Sequence, residues 1–146
     1  MRLVTIDSSK LSKYTADKEM LHNARRPCVL VIQLEYKGKR RNFAVPVRSN
    51  INPSTPKNQF FALPPRHTTK PKHYHGIHYI KMFPINRKDT LKYRTDGNPA
   101  AQLMKMIIDN HEKEIIQACQ QYLRAYENGK RPMYSTDIDF LLQQIE

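Results

Sequence analysis

One segment constrains the fold of this chain more than any other. Residues 28–36 read CVLVIQLEY. The first half is apolar throughout and the second half alternates, which is typical of a strand at the centre of a sheet. A turn at 37–40 contains Gly38, and NFAVPV at 42–47 returns as the partner strand, so the sequence predicts a β-hairpin. Pro46 has no N–H to donate and therefore predicts the end or the edge of that second strand.

Shorter segments predict the rest of the sheet. RLVTI, FFAL and GIHYIKMFPI, at residues 2–6, 60–63 and 76–85, are rich in β-branched and aromatic residues and are interpreted as strands. Ser8 and Ser9 are suited to cap a short helix that runs through about Ala16.

The C-terminal third of the chain has a helical period. Asn98-Pro99 is a typical helix start, and apolar residues recur at spacings of three and four through about Glu127. Asn128-Gly129 should end this long helix. Ser135 or Thr136 is then expected to cap a last short helix.

Strands precede helices along the chain, which predicts the α+β class. The expected architecture is a twisted antiparallel sheet, forming part of a barrel, that packs against a long C-terminal helix with shorter flanking helices. A chain of 146 residues is the size of one domain, so residues 1–146 are expected to form a single domain.

Charge is distributed very unevenly between these two halves. Residues 1–94 carry 20 basic and 5 acidic side chains, whereas residues 95–146 carry 5 basic and 8 acidic ones. Within residues 37–94, Asp89 is the one acidic residue. Such an excess of positive charge favours a polyanionic partner, most often a nucleic acid. The alternatives are a merely solvated basic surface and, with less support because no basic amphipathic helix is present, a membrane surface.

Several classes of protein are excluded or disfavoured. The longest apolar run, residues 28–32, is far too short for a membrane span, and the N-terminus lacks the apolar core of a signal peptide. Two cysteines, Cys28 and Cys119, do not make a disulfide framework, so a cytoplasmic location is expected. Four glycines leave no room for a dinucleotide or phosphate-loop motif. The histidines at 67, 73, 75 and 78 have no neighbouring carboxylate or cysteine, so no metal and no other cofactor is predicted.

The shortage of carboxylates also restricts the chemistry. Glycosidases and two-metal nucleases need acidic groups, which the basic half lacks. RNA can be cut without a metal because its own 2′-OH is the nucleophile, and the protein then supplies alignment, proton transfer and positive charge. The segment AVPVRSNIN at 44–52 offers residues for this: Arg48 to hold a phosphate and Ser49 to bond the phosphate or the 2′-OH. The plainer interpretation of residues 48–50 is a polar turn capped by Ser49 and Asn50.

Three blocks of sequence resemble, in order, the endoribonuclease toxins of type III toxin–antitoxin systems. They are MRLVTIDSSKLSKY, then CVLVIQLEYKGKRRNFAVPVRSN, then HGIHYIKMFPI. The matches lie within residues 1–85 and are most similar to the TenpN branch of the ToxN/AbiQ superfamily. Many members have Thr-Ser-x-Lys where this chain has Arg48-Ser49-Asn50-Ile51.

The resemblance implies a Kid/MazF-like fold and metal-independent cleavage of cellular or phage RNA that leaves a 2′,3′-cyclic phosphate. It also implies inhibition by a cognate antitoxin RNA made of short pseudoknot-forming repeats, held in a cyclic protein–RNA assembly, in phage defence by abortive infection. Ser49 takes the position of the active-site serine, and Arg48 replaces the later lysine as the source of charge. Arg26 and Lys81 stand near or within the family's matched blocks and complete the predicted catalytic set.

A wider set of basic, amide, tyrosine and histidine side chains is predicted to bind RNA. These residues are Arg25, Lys37, Lys39, Arg40, Arg41, Asn50, Lys57, Arg66, Lys70, Lys72, Tyr74, His75, His78, Arg87 and Lys88. Tyr74 and one of Phe60 and Phe61 are the aromatic side chains expected to stack on bases. His75 and His78 are both candidate proton carriers, because histidine titrates near neutral pH.

Two alternatives to a nuclease remain open from the sequence. The first is a non-catalytic RNA-binding protein of the ribosomal or regulatory type. The second is a DNA-binding regulator, which is disfavoured because both C-terminal helices lie in the acidic part of the chain and no basic recognition helix is found.

Overall fold

A computed structural model describes residues 1–14 and 25–146. Its strands are β1 (Arg2–Ile6), β2 (Cys28–Tyr36), β3 (Lys39–Ile51), β4 (Phe60–Leu63), β5 (Tyr74–His78), β6 (Phe83–Pro84) and β7 (Thr90–Lys92). Its helices are α1 (Leu11–Tyr14), α2 (Pro99–Asn110), α3 (Glu112–Glu127) and α4 (Ile138–Ile145). The predicted α+β class and the antiparallel sheet are confirmed. No helix within residues 1–14 and 25–146 is long and apolar enough to cross a membrane.

The sheet has the order β4-β5-β3-β2-β1-β7, with β6 paired to β3, and all pairs are antiparallel. The β2–β3 hairpin turns at Lys37 and Gly38, which have positive φ angles of 50° and 76°. Two successive residues in the left-handed region are typical of the turn type that matches the twist of a hairpin. The predicted strands at 2–6, 28–36 and 60–63 are confirmed.

The first four residues of β2 are buried on both faces of the sheet, which explains the apolar run over 28–31, whereas Ile32 is 52% exposed. Val29 and Val31 of β2 belong to a core shared with α2, α3 and α4. Cys28 and Leu30 belong to a second, smaller core with Tyr14 of α1 and Leu141 of α4. Because successive side chains of a strand point to opposite faces, a strand covered on both sides must be apolar at every position.

Pro46 lies inside a strand, and its prediction as a strand end or edge was wrong. β3 continues to Ile51, with β2 on one side and β6 and then β5 on the other. The amide of Val47 donates to Pro27 O at 3.0 Å, so the ring nitrogen of Pro46 faces the opposite edge. On that edge a 3-10 turn at Tyr79–Lys81 separates β5 from β6. No strand therefore lies opposite Pro46 to accept a hydrogen bond, and its missing N–H has no cost. The same turn divides the single strand that the sequence predicts over residues 76–85 into β5 and β6.

The helical region also differs from the prediction. The expected long helix is two helices, which are separated at His111 (φ −117°, ψ 22°). Its imidazole Nδ1 lies 2.8 Å from Ile107 O, which satisfies a carbonyl at the end of α2. α3 is the longer helix and packs on β2 through the core that contains Ile115, Cys119 and Leu123.

Acidic residues, rather than the predicted serines and threonine, cap two of the helices. Asp7 caps the 3-10 helix Ser8–Lys10, which precedes α1, by accepting a hydrogen bond from Ser9 N at 3.0 Å, and Asp137 caps α4 by accepting one from Phe140 N at 3.0 Å. Thr136 is instead buried, with its amide donating to Ile80 O at 3.0 Å. The predicted extension of the first helix to Ala16 falls outside the described residues.

Asp89, the one acidic residue of the basic region, has a structural position. It is fully buried and accepts a hydrogen bond from Tyr14 OH at 2.6 Å, and Lys13 Nζ lies 3.6 Å away. Burial acts against these partners, but the bonds from Tyr14 and Lys13 prevail and hold the pKa of Asp89 below its ordinary value. This carboxylate therefore fixes α1 to the segment before β7, away from the sites described below.

Candidate active site

Two arginines and a histidine lie where β3, β5 and the segment before β2 come together, and the charge of Lys81 acts on the same histidine. Arg48 pairs in register with Gly76 of β5. The Nη1 atom of Arg48 lies 3.4 Å from Nδ1 of His78. This brings together one predicted catalytic residue and one predicted RNA-binding residue that are 30 positions apart in sequence.

Arg26 reaches the same place from the N-terminal end of β2. Its Nη1 donates to Val47 O at 3.4 Å, while its buried Nε has no hydrogen-bond partner within the described residues. Burial, and then the positive charge of Arg26, lowers the pKa of Arg48. Neither guanidinium forms an ion pair with a carboxylate in residues 1–14 and 25–146. Two half-buried cations side by side, neither paired with a carboxylate of the described residues, are suited to bind an anion.

His78 is buried, with 4% of its surface exposed. Burial, then Arg48 and then Lys81, lowers the pKa of His78 to about 3, so its imidazole is neutral at neutral pH. A guanidinium can only donate, so Nδ1 of His78 is the acceptor and Nε2 carries the proton. The buried Nε2 has no partner among the described residues.

Lys81 lies in the 3-10 turn that interrupts the predicted strand. It is buried, and its Nζ donates to the backbone carbonyl of Tyr134 at 2.5 Å. Tyr134 has a positive φ of 66°, an unfavourable conformation for a non-glycine residue. The side chain of Thr136 donates to Met82 O, which fixes the same loop to the turn. Tyr134 and Thr136, from the acidic C-terminal part of the chain, therefore help to position Lys81 of the basic part.

Ser49 and Asn50 lie in β3 and not in the polar turn that the sequence predicts. The register between β3 and β5 shifts between Arg48 and Ile51. The two residues therefore form a bulge opposite His75, and such bulges re-aim side chains next to functional sites. Ser49 is half-buried. Asn50 Oδ1 accepts a hydrogen bond from Lys70 N at 2.8 Å, so Asn50 anchors the basic loop between β4 and β5.

Tyr74 and Phe60 form an aromatic pair beside Gly76. Their ring centroids are 4.9 Å apart, and Tyr74 is 39% exposed. A side chain on Gly76 would place its Cβ 2.2 Å from Phe61 O, so only glycine allows β4 to approach this closely. Two other tyrosines of the basic half, Tyr36 and Tyr79, are instead buried in the core. Phe61 packs on His111 with ring centroids 5.3 Å apart.

A second group of the predicted RNA-binding residues lies at the far end of the β2–β3 hairpin. Arg41 is seven residues before Arg48 on β3, which corresponds to about 23 Å along the strand. Arg40, Arg41, Arg87 and Lys88 line a groove of about 660 Å³ there. Arg41 forms an ion pair with Glu146, and Lys37 Nζ lies 2.9 Å from Asp139. Lys39 is exposed on the same hairpin.

The other predicted RNA-binding cations belong to the opposite end of the sheet. Exposed residues there are Lys57, Arg66, Lys70 and Lys72. Arg25 is exposed beside Arg26. His75 is buried, and its Nδ1 lies 2.8 Å from Pro64 O.

Sequence reasoning missed the contribution of Tyr134, because no local pattern connects residue 134 to residue 81. The lowered pKa of His78 could not be predicted from the sequence either, because the sequence shows a histidine but not its burial. Among residues 1–14 and 25–146, no group of three or more histidine, cysteine, aspartate or glutamate side chains is placed to hold a metal ion.

Solved structures provide a comparison, whereas no protein-family model and no curated protein matches the sequence. A toxin of a type III toxin–antitoxin system that is selectively inhibited by a non-coding RNA pseudoknot aligns with a TM-score of 0.73 and 15% identity, over 98% of this chain and 94% of its own. AbiQ, a lactococcal anti-phage endoribonuclease of the type III class, aligns with a TM-score of 0.72 and 14% identity, over 98% and 94%. A protein of a bacterial antiviral system regulated by a processed non-coding RNA aligns with a TM-score of 0.70 and 16% identity, over 98% and 96%. The chain therefore has, over nearly its whole length, the fold of these type III toxin–antitoxin proteins.

Proposed function

We propose that this protein is a metal-independent, sequence-preferring endoribonuclease toxin of a type III toxin–antitoxin system. The observation that carries the proposal is the cluster of Arg26, Arg48 and a neutral His78, in which neither arginine pairs with a carboxylate of the described residues and on which Lys81 also acts. The shared fold with an anti-phage endoribonuclease and an RNA-inhibited toxin supports it.

The reaction follows from the charges of this cluster. The 2′-OH of RNA attacks the adjacent phosphorus and the bond to the 5′ oxygen breaks. The 2′-OH gives up its proton to water and the leaving 5′ oxygen takes one from water, so the products carry a 2′,3′-cyclic phosphate and a 5′-OH. Negative charge develops on the non-bridging oxygens in the transition state. Arg48 and Arg26 hold these oxygens, and Lys81 adds a third positive charge. Ser49 bonds a phosphate oxygen or orients the 2′-OH.

The same electropositive surface explains inhibition by RNA. A repeat antitoxin RNA that lies across Arg48 and extends along the basic loops would exclude substrate without any change in the fold. Since each toxin then contacts more than one repeat, a closed cyclic protein–RNA assembly in the cytoplasm is the expected inactive form. Phosphate contacts of this kind weaken steeply with salt.

The test is cleavage of a long single-stranded RNA in EDTA. We expect the wild-type protein to cut it, with 2′,3′-cyclic phosphate ends identified by mass spectrometry, and we expect Ser49→Ala and Arg48→Ala each to abolish cleavage while RNA binding by Ser49→Ala survives. Lys113→Ala, which removes an exposed cation on α3, is the matched control and should cut normally. Intact RNA in the wild-type reaction would support the alternative, a non-catalytic RNA-binding protein. Cleavage that requires a divalent metal would overturn the proposed chemistry.

A further inference from the structure

The loop that joins α3 to α4 carries an exposed tyrosine, Tyr134. Its side chain is 65% exposed, and the neighbouring Met133 is 76% exposed. Among residues 1–14 and 25–146, the ring of Tyr134 belongs to neither core cluster, stacks on no other aromatic ring and makes no hydrogen bond. Packing within this part of the chain therefore does not explain why a large aromatic side chain stands at position 134.

The backbone at Tyr134 would suit a smaller residue better. Ser135 N donates to Pro132 O at 3.1 Å, which closes a turn with Met133 and Tyr134 at its centre. A positive φ at the second of these two residues, 66° at Tyr134, is typical of a type II turn. Glycine and asparagine are favoured at that position, whereas a tyrosine is strained. Strain at a residue whose ring adds no packing points to a function for the side chain.

Two backbone contacts fix this turn beside the candidate active site. Lys81 Nζ donates to the carbonyl oxygen of Tyr134 at 2.5 Å, and the amide of Thr136 bonds to the same 3-10 turn. The charge of Lys81 acts on His78, whose Nδ1 lies 3.4 Å from Nη1 of Arg48. The exposed ring is therefore held next to the cations that are proposed to bind a phosphate.

Further basic side chains flank the same loop. A cavity of about 330 Å³ lies between residues 130–132 and residues 57–61. Lys57 and Lys130 line it and are exposed, and Glu114 is the one acidic side chain among the described residues that line it. An aromatic ring next to several cations matches RNA, which combines anionic phosphates with the flat faces of its bases. A protein-binding patch would instead have a centre depleted of charged residues.

We propose that the ring of Tyr134 stacks on one base of the bound RNA, near the phosphate that Arg48 holds. Stacking uses the flat face that every base has, so the contact requires no particular base. It extends the RNA-binding surface into the acidic part of the chain, where none of the predicted RNA-binding residues lies. The inference rests on the proposed function, because it concerns how that nuclease holds its RNA.

Tyr134→Gly tests the proposal, because it removes the ring but keeps the carbonyl that holds Lys81. Glycine also adopts the positive φ without strain, so we expect the midpoint of urea denaturation to stay close to or above that of the wild-type protein. Affinity for a 2′-O-methyl adenosine hexamer, which cannot be cleaved through the 2′-OH, should fall at least about fivefold in fluorescence anisotropy. Tyr134→Phe retains a stacking ring and should bind within about twofold of the wild-type protein.

Hexamers that each lack one base show whether stacking is what the variant loses. At least one abasic position should reduce the affinity of the wild-type protein about fivefold or more, but that of Tyr134→Gly less than about twofold. Gln33→Gly is the matched control, because Gln33 is also exposed and has a positive φ of 64°. It should bind every hexamer as the wild-type protein does.

Wild-type affinity in Tyr134→Gly, or the same response of both proteins to every abasic position, would overturn the stacking contact. A denaturation midpoint well below that of the wild-type protein would also overturn it, because the ring would then stabilise the fold. A protein that shows the coupling but leaves RNA intact in EDTA would contradict the proposed nuclease and support the contact. A protein that cleaves RNA in EDTA without the coupling would support the nuclease and contradict the contact.

Discussion

Arg48 and His78 meet side chain to side chain across two adjacent strands, with 3.4 Å between Nη1 and Nδ1. The contact joins a permanent cation to a buried imidazole, and burial first and this cation second lower the pKa of the histidine. A neutral ring next to an arginine can stay inside the protein without a carboxylate partner. The charged groups of the cluster are therefore the two guanidinium groups and Lys81, and these are the groups proposed to hold phosphate.

Removal of the Arg48 charge should change both the pKa of His78 and the chemistry. In Arg48→Ala we expect the pKa of His78 to rise, because a charge that opposes protonation is gone, and we expect cleavage to fall by about 10²-fold or more. Arg48→Lys should keep the pKa low because the charge remains, but it should also cleave slowly because the forked donors are lost. NMR titration of His78 and single-turnover cleavage measure the two effects. An unchanged pKa in Arg48→Ala would contradict the electrostatic coupling.

The buried histidine also predicts how stability depends on pH. The unfolded chain binds a proton at His78 below pH of about 6.5, whereas the folded chain binds it only near its pKa of about 3. Stability is therefore fully present above the unfolded pKa and is lost as the pH falls through this window, by up to about 1.4 kcal/mol per pH unit.

His78→Gln should remove this part of the pH dependence. Chemical denaturation between pH 7 and about 5 is the informative range, because the carboxylates with lowered pKa values, such as Asp89, lose their contribution only below about pH 4. The slope of the unfolding free energy against pH should be flatter in the variant than in the wild-type protein. Equal slopes would show that His78 is not held neutral by burial.

Gly76 should tolerate no side chain. Gly76→Ala would bring Cβ to 2.2 Å from the backbone oxygen of Phe61, so β4 and β5 must separate, at a cost of about 1–3 kcal/mol. Gly97→Ala is the comparison, because its Cβ would meet open space and only the positive φ of 67° penalises it. In urea denaturation, Gly76→Ala should be the less stable variant and should also show weaker RNA binding, since Tyr74 is displaced. Wild-type stability in Gly76→Ala would disprove the close approach.

The groove at the far end of the β2–β3 hairpin should bind long RNA without affecting catalysis. Replacing Arg87 and Lys88 by alanine removes two exposed cations about 20 Å or more from Arg48. Affinity for long RNA should fall. The slope of the logarithm of the binding constant against the logarithm of the salt concentration should become less steep by about 1.4, as expected for the loss of two phosphate contacts on a single strand. Cleavage of a dinucleotide should be unchanged. Slower dinucleotide cleavage would mean that the groove belongs to the active site.

The local sequence determined those elements whose signals are local. β1, β2 and β4 have the predicted bounds, because alternation and β-branched residues report directly on a pleated, buried strand. The start of α2 at Asn98-Pro99 was predicted for the same reason, since a side-chain cap and a proline at the first position act over one turn. The separation of a basic strand half from an acidic helical half was likewise visible in the sequence.

Elements that depend on distant partners were predicted less well. The sequence treats Pro46 as a strand breaker, but the partner strand is interrupted at that point and the missing N–H has no consequence. The break at His111 carries no proline or glycine, so the apolar period continues across it and suggests one helix. Ser135 and Thr136 have the chemistry of caps, but Thr136 is used to fix a neighbouring turn and Asp137 takes the cap.

The sequence by itself determined the composition of the candidate site: basic, poor in carboxylates and concentrated in the first 94 residues. Only the tertiary structure decided which of those many cations act together. Arg26, Arg48 and Lys81 come from three separate segments, and Lys81 is held by the carbonyl of Tyr134 from the acidic end of the chain. The physical reason is that charge is a property of each residue, whereas burial, which sets the pKa of His78 and the strength of every contact around it, exists only once the segments have packed.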